Sequence, residues 1–308
     1  MDNNIDELAA ILSLLEIKGL GPVKFKVIYN RFKSFRKVFD LSLKELKVEF
    51  GFRDIILKNI IKKKDSVKSF REEAEKQKVT ARLLGANIIT YFDDFYPPNL
   101  FESNHCVPIL YTLGNTELLK EIKTCAVVGT RKPSSWTTEQ VNIAVKNLVN
   151  EGYTIVSGLA LGVDAIAHGA ALDNNSKTIS VLGCGVDVIY PKGNAELREK
   201  IIHNGIIVSE YKFGMKVQEF ALKKRNKITV GLSKYVLVAQ TSDKGGTMNA
   251  YRAVKEQKKR MGVLLPKNTK GFEGNLKILE DKKIEVLKFK EGKDVKFPKL
   301  ENDQRLLI

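Results

Sequence analysis

The sequence has only three cysteines in 308 residues, and none stands in a CxxC pair. Cys106, Cys125 and Cys184 lie far apart, and only Cys106 has a histidine beside it, His105. A structural zinc site needs about four ligands at short, regular spacings, so no metal is expected. Disulfides are not expected in a reducing compartment either. No apolar run approaches the roughly 20 residues needed to cross a bilayer. The opening Met1-Asp2-Asn3-Asn4-Ile5-Asp6-Glu7 lacks the basic and apolar pattern of a signal peptide. The expectation is a cytosolic protein without a membrane span. GxGxxG is also missing, which removes the dinucleotide fingerprint, and no cofactor is expected. There is no long low-complexity linker and no internal repeat.

What is abundant is positive charge. Lys and Arg number 52 against 36 Asp and Glu, a formal net charge of +16. Such a surplus favours a polyanion, either nucleic acid or an anionic membrane surface, unless a lysine-rich proteome biases every chain alike. Hydrophobic residues make up 43%, enough for a substantial core. The length suggests about two domains.

Residues 1–80 read as an all-helical domain. Apolar residues from Ile5 to Leu15 recur at helical spacing. Ile17-Lys18-Gly19-Leu20-Gly21-Pro22-Val23-Lys24 then gives a helix-hairpin-helix pattern, with Pro22 suited to a first helical turn. Gly19, Gly21 and Lys24 either approach a DNA phosphate or simply form a tight turn. Leu41 to Phe50 and Ile55 to Lys64 read as further helices, and Lys62-Lys63-Lys64 as a solvated face.

Residues 81–290 change texture. Apolar runs such as Ala126-Val127-Val128, Thr178-Ile179-Ser180-Val181-Leu182 and Val236-Leu237-Val238-Ala239 alternate with amphipathic stretches. Continuous apolar strands imply burial on both faces, and strand–helix alternation implies a parallel, doubly wound α/β sheet. Ligands of such folds bind at the carboxyl ends of the strands. A charged tail is expected over 291–308.

Five strand-end turns carry candidate chemistry. In the first, Gly129 closes a strand, Thr130 offers a hydroxyl and Arg131 a planar fork for phosphate; Ser134 either caps the next helix or bonds a phosphate. In the second, Gly158 permits close backbone approach and Gly162 precedes a helix N-terminus. There Asp164 reads as a cap. Asp164 and His168, one turn apart, either polarise a ligand or share a fixed hydrogen bond. In the third, Cys184 reads as a small filler, and Lys192 and Asn194 as phosphate contacts. The fourth is the basic stretch Lys223, Arg225, Asn226 and Lys227, whose neighbours Phe220 and Leu222 suggest one buried side. The fifth, Lys244-Gly245-Gly246-Thr247, forms a phosphate cradle at a helix start. Tyr211, Phe213 and Trp136 are candidate platforms for base stacking, and equally candidates for core.

The order Gly129-Thr130-Arg131, Ser157-Gly158-Leu159-Ala160 with Gly162, Asp164 and His168, Leu182-Gly183 with Tyr190-Pro191 and Asn194, then Arg225-Asn226-Lys227 with Gly231-Leu232-Ser233, resembles the DprA/Smf family of DNA-processing proteins. Ile89 to Leu100 and Pro108-Ile109-Leu110-Tyr111 look like that family's entry into the domain, so the match runs over about 84–290. The resemblance implies an extended Rossmann-like fold and single-stranded DNA held in a basic pocket. It further implies a homodimer and the loading of RecA recombinase during natural transformation or recombination, without catalytic turnover. Carried over, Arg131, Lys192 and Arg225 match basic pocket positions and Gly158 its glycine floor. Thr130 replaces the family's usual Ser, and Lys244-Gly245-Gly246-Thr247 replaces a Ser-Gly-Ser or Ser-Gly-Thr turn. The winged helix that ends many members is expected to be absent.

Two rival classes remain. A sensor or hydrolase of a nucleotide-derived small molecule would use the same pocket. The related phosphoribohydrolases, however, place a glutamate just after the glycine turn, where this chain has Met248, Asn249 and Ala250. An architectural protein gripping duplex DNA through its helical start would leave the strand-end turns without a purpose.

Overall fold

The computed structural model describes residues 3–64 and 67–298. Its helices are α1 (Asn3–Leu15), α2 (Pro22–Phe32), α3 (Leu43–Phe50), α4 (Asp54–Lys63), α5 (Val67–Leu84), α6 (Pro98–Glu102), α7 (Ser135–Asn150), α8 (Val163–Asp173), α9 (Ala195–Asn204), α10 (Glu219–Gly231), α11 (Thr247–Gln257) and α12 (Glu273–Leu279). Its strands are β1 (Ala86–Thr90), β2 (Ile109–Gly114), β3 (Thr124–Val128), β4 (Thr154–Ser157), β5 (Thr178–Leu182), β6 (Ile206–Ser209), β7 (Tyr235–Val238), β8 (Arg260–Leu264) and β9 (Val286–Phe289).

Every residue of β3 to β7 is buried, as their unbroken apolar runs require. The nine strands form one sheet in the order β1-β2-β6-β5-β4-β3-β7-β8-β9. All neighbours from β6 to β9 are parallel, and β1 and β2 add two antiparallel pairings at one edge. This is the mostly parallel α/β sheet expected. The chain winds outward from β3 in one direction through β4, β5 and β6, then resumes on its other side with β7. The strand order therefore reverses at β3, which fixes where a crevice opens. Along β3, Cys125 and Val127 pack under α7 and α8, while Ala126 and Val128 face α11, the period-2 signature of a sheet covered on both sides.

The helical half folds for local reasons. Pro22 opens α2, Gly19 sits at φ +90°, and Gly51 ends α3 in the left-handed region. Ser42 and Glu45 cap α3 reciprocally, Ser42 N donating to Glu45 Oε2 at 2.8 Å.

Two expected boundaries move. The helical half does not stop near residue 80: α5 runs through it to Leu84 and passes into β1 over Gly85. Leu8, Phe25, Phe35 and Ile60 share one apolar cluster with Tyr91, Ile109, Val181 and Val208 of the α/β half. Tyr29 meets Tyr91 edge-on at 5.3 Å, and Phe213 N donates to Gln77 Oε1 at 3.3 Å. The helices are thus a buttress sharing the sheet's core. Nor do residues 291–298 form a free tail. Gly292 N donates to Gln140 Oε1 of α7 at 2.7 Å, and Phe297 stacks on Tyr235 at 4.4 Å. The rest of the expected tail, 299–308, lies outside the described residues.

Candidate nucleic-acid interface

At the carboxyl ends of β3 and β7 opens a crevice of about 540 Å³, walled by α10 and the start of α11. The turn after β3 contributes Gly129, Thr130, Arg131 and Lys132; α10 contributes Lys223, Arg225 and Asn226; the turn after β7 contributes Gly245, Gly246 and Thr247. A smaller recess of about 50 Å³ adjoins it, sharing Arg131, Ala160, Leu222 and Arg225 and reaching Cys184, Tyr190 and Pro191. Of the five candidate stretches, the first, second, fourth (in α10) and fifth therefore converge on the crevice, and the third reaches only the recess.

Arg225 is the pivot. Its side chain is buried, and the guanidinium lies over Gly158 so closely that a Cβ there would fall 0.9 Å from Nη1. Gly158 is glycine to make room for this arginine, which is the physical content of a glycine floor. Nη1 stands 3.5 Å from Asp164 Oδ2, an ion pair between two buried groups. Yet Nε and Nη1 have no hydrogen-bond acceptor among the described residues. Both nitrogens face protein and have no accessible surface, so what the crevice meets of Arg225 is its charge at the wall that it helps to line. Burial raises the pKa of the Asp164 carboxyl, and the Arg225 charge opposes that rise.

The remaining cations differ in their freedom. Arg131 and Lys132 are exposed on the crevice lip. Lys223 also lines the crevice but pairs with Glu219 at 2.6 Å, so both carboxylates of the lining, Asp164 and Glu219, are tied to cations. Asn226 Nδ2 donates to Gly246 O at 3.5 Å, linking α10 to the start of α11.

Several residues expected at the site do other work. Ser134 caps α7, its Oγ accepting from Thr137 N at 3.1 Å, and does not line the crevice. Gly162 faces backbone: a Cβ would lie 2.5 Å from Thr130 O, and Val163 N already donates to that oxygen at 3.1 Å. The start of α8 is therefore closed by protein and offers no anion cradle there. Asn194 is buried, its Nδ2 donating to Leu159 O at 2.9 Å, which holds Leu159 at φ +58°. Lys192 is exposed beside Pro191, and Lys244 is exposed on its turn; neither lines the crevice. Lys227 turns away to Glu256 at 2.9 Å. His168 does not bond Asp164. Its Nδ1 pairs with Thr178 Oγ1 at 2.8 Å, and burial pushes its pKa down to about 3, so it stays neutral. Asp164 is not the formal cap of α8, which is Gly162; it accepts from Ala160 N at 3.4 Å. Burial likewise pushes the Cys184 thiol up to about 11, in keeping with a filler.

Of the three candidate platforms one is buried and two are half-buried. Phe213 is buried against Tyr111, Trp136 packs edge-on to Phe272 at 5.6 Å, and the hydroxyl of Tyr211 is buried. Phe220, expected on a buried side, is instead 61% exposed. In the hairpin, Gly19 supplies a positive φ, Gly21 precedes α2, and Lys24 lies over the Phe52 ring at 5.7 Å.

Sequence reasoning missed Gln240. Its backbone oxygen accepts from Thr130 N at 2.8 Å, its Oε1 accepts from Ser134 N and Thr137 Oγ1, and its Nε2 donates to Gly271 O. One amide thus pins the turns after β3, β7 and β8. A glutamine closing an apolar strand was the available signal, but no spacing rule flags it.

Fold and crevice together define a doubly wound α/β protein with a basic crevice at its strand-order reversal. The family model for DNA recombination-mediator protein A matches residues 87–293, and the chain belongs to that family. The Smf protein of Synechocystis sp. is 35% identical over 245 residues, covering 79% of this chain and 60% of its own length. The DNA processing protein DprA of Streptococcus pneumoniae is 41% identical over 165 residues, covering 53% and 58%. The chain thus spans about three-fifths of the length of these two curated relatives. An X-ray structure of the S. pneumoniae DprA aligns with a TM-score of 0.75 at 27% identity, covering 93% of this chain and 96% of that one. The Helicobacter pylori DprA, described for its unique single-stranded DNA binding mode, aligns at 0.59 with 30% identity, covering 65% and 90%.

Proposed function

We propose that the crevice binds single-stranded DNA by its phosphates, and that the protein acts by binding without turning its ligand over. The observation that carries this is the convergence of four cations, Arg131, Lys132, Lys223 and Arg225, on one open crevice at the strand ends. The glycine turn 245–247 presents backbone to the same space. Against turnover stand the tied carboxylates Asp164 and Glu219 and the neutral, internally bonded His168. A hydrolase of a small nucleotide derivative would need one of these free as an acid or base. We assign the phosphate contacts to Arg131, Lys132, Lys223, Arg225 and the 245–247 turn, and none to the hairpin of Gly19, Gly21 and Lys24. By kinship we extend the reading to homodimerisation and to handing the strand to a RecA-type recombinase in transformation or recombination. The test is affinity for a poly-dT oligonucleotide against duplex of equal length and against free nucleotides. Preference for the single strand supports the reading; equal affinity for duplex, or tight binding of a free nucleotide alone, overturns it.

A further inference from the structure

The crevice meets phosphates with cations, but its lining contains no aromatic side chain, and the recess offers Tyr190 alone. A protein that prefers single strands usually needs a π surface for the unpaired bases. Among the described residues only two aromatics are exposed, Phe92 at 39% and Phe220 at 61%. Phe92 is engaged with the rings of Tyr29 and Phe35 in the helical half. Phe220 has Tyr211 as its ring neighbour, with centroids 6.5 Å apart.

A single exposed phenylalanine by itself calls for no ligand. Position singles this one out. It lies in the first turn of α10, between Glu219 and Leu222, both of which line the crevice. At about 100° per residue, the cleft-lining Lys223 falls between Glu219 and Phe220 around the helix, and Lys224 lies just beyond. Lys224 reaches Glu210 at 2.6 Å and stands over the Tyr211 ring at 5.9 Å. A strand leaving the crevice over Lys223 therefore meets Phe220 next, with an ammonium group on either side for its phosphates.

The geometry points to Phe220 as the stacking platform for an unpaired base just outside the crevice, and hence as a residue that selects single strand over duplex. The inference rests on the reading of the crevice as a DNA site. A ring face accepts any base, so the contact is indifferent to sequence, but it requires a base whose faces are not already taken by a helical stack. Paired bases cannot use it.

The test compares oligo-dT, an abasic oligomer of equal length and duplex on the parent protein and three variants. Because Phe220 is exposed, Phe220→Ala should fold normally. It is expected to weaken oligo-dT binding roughly tenfold while leaving abasic and duplex binding unchanged. Phe220→Leu keeps apolar bulk without a π face and should be as weak as the alanine variant; full affinity there would overturn stacking. Phe220→Trp should bind as well as the parent and adds a second indole to Trp136, the chain's one tryptophan. Its added fluorescence should be quenched by oligo-dT and untouched by the abasic strand; no quenching overturns the inference. If the parent itself ignores oligo-dT, the crevice reading fails. If the parent binds and Phe220→Ala binds equally well, only this inference fails.

Discussion

The turns after β3 and β7 and the turns after β4 and β5 look alike in sequence, each glycine-rich at the end of an apolar strand, yet they end differently. After β3 and β7, Arg131 and Lys132 stand exposed, and Gly245-Gly246-Thr247 opens onto the crevice. After β4 and β5 Lys192 is exposed away from the crevice, but the glycines and Asn194 face inward. Gly158 lies under Arg225, Gly162 abuts the 130–131 backbone, and Asn194 holds the Leu159 carbonyl. The first pair lines the open crevice; the second makes the floor beneath Arg225. A glycine at a strand end is evidence of close approach, but the approaching group is as often the protein's own.

Five substitutions break or sharpen this contrast. The largest effect belongs to the floor. Gly158→Ala would displace Arg225 and leave Asp164 buried without its partner, lowering stability by about 3 kcal/mol. Gly246→Ala, with nothing within 4 Å of the added carbon, should stay within about 0.5 kcal/mol of the parent. Urea denaturation of the two proteins measures the difference, and equal stabilities would erase the distinction between floor and surface.

Arg131→Ala tests the open side. The residue is exposed, so the melting temperature should not move, whereas affinity for oligo-dT should fall by about 2 kcal/mol, the worth of a hydrogen bond to a charged group. Fluorescence anisotropy together with a thermal melt reads both.

His168 tests the floor through pH. Its pKa is depressed from 6.5 to about 3, so the unfolded chain takes up a proton that the folded one refuses. Stability is then full above pH 6.5 and drains as pH falls through the window down to 3, at about 1.4 kcal/mol per pH unit. Between pH 7 and pH 5 the parent should lose about 2 kcal/mol more than His168→Gln. A variant with an identical acid profile would mean that this imidazole is not the group responsible.

Asn194→Ala is the smallest. Losing the bond to Leu159 O should cost about 1 kcal/mol of stability with oligo-dT affinity within about twofold. A large affinity loss with unchanged stability would return Asn194 to the phosphate contacts.

The fold was largely legible in the chain. Unbroken apolar strands told of two-sided burial, and their alternation with helices told of parallel winding, because both depend on local pattern. The site was legible as a set of turns and less so as a set of contacts. Nothing in the spacing of Asp164 and Arg225 says that they meet, and Asp164 and His168 share a helix face without bonding because Thr178 offers the imidazole a nearer partner. Gln240 and the merging of the helical half into the sheet's core are invisible for the same reason: each depends on side chains brought together only by the finished fold. Phe220 read as buried because an apolar residue near the start of an amphipathic helix usually is; in the first turn of α10 it is 61% exposed, with Tyr211 as its ring neighbour.

The most direct measurement sets the crevice against the helical hairpin. Oligo-dT affinity is followed from low to high salt for the parent, Arg131→Glu and Lys24→Glu. Each lost phosphate contact should flatten the plot of log affinity against log salt by about one. The account predicts that Arg131→Glu loses affinity steeply and flattens the slope, while Lys24→Glu tracks the parent. Parent-like binding by Arg131→Glu, with the loss falling on Lys24→Glu, would place the DNA on the hairpin and contradict it.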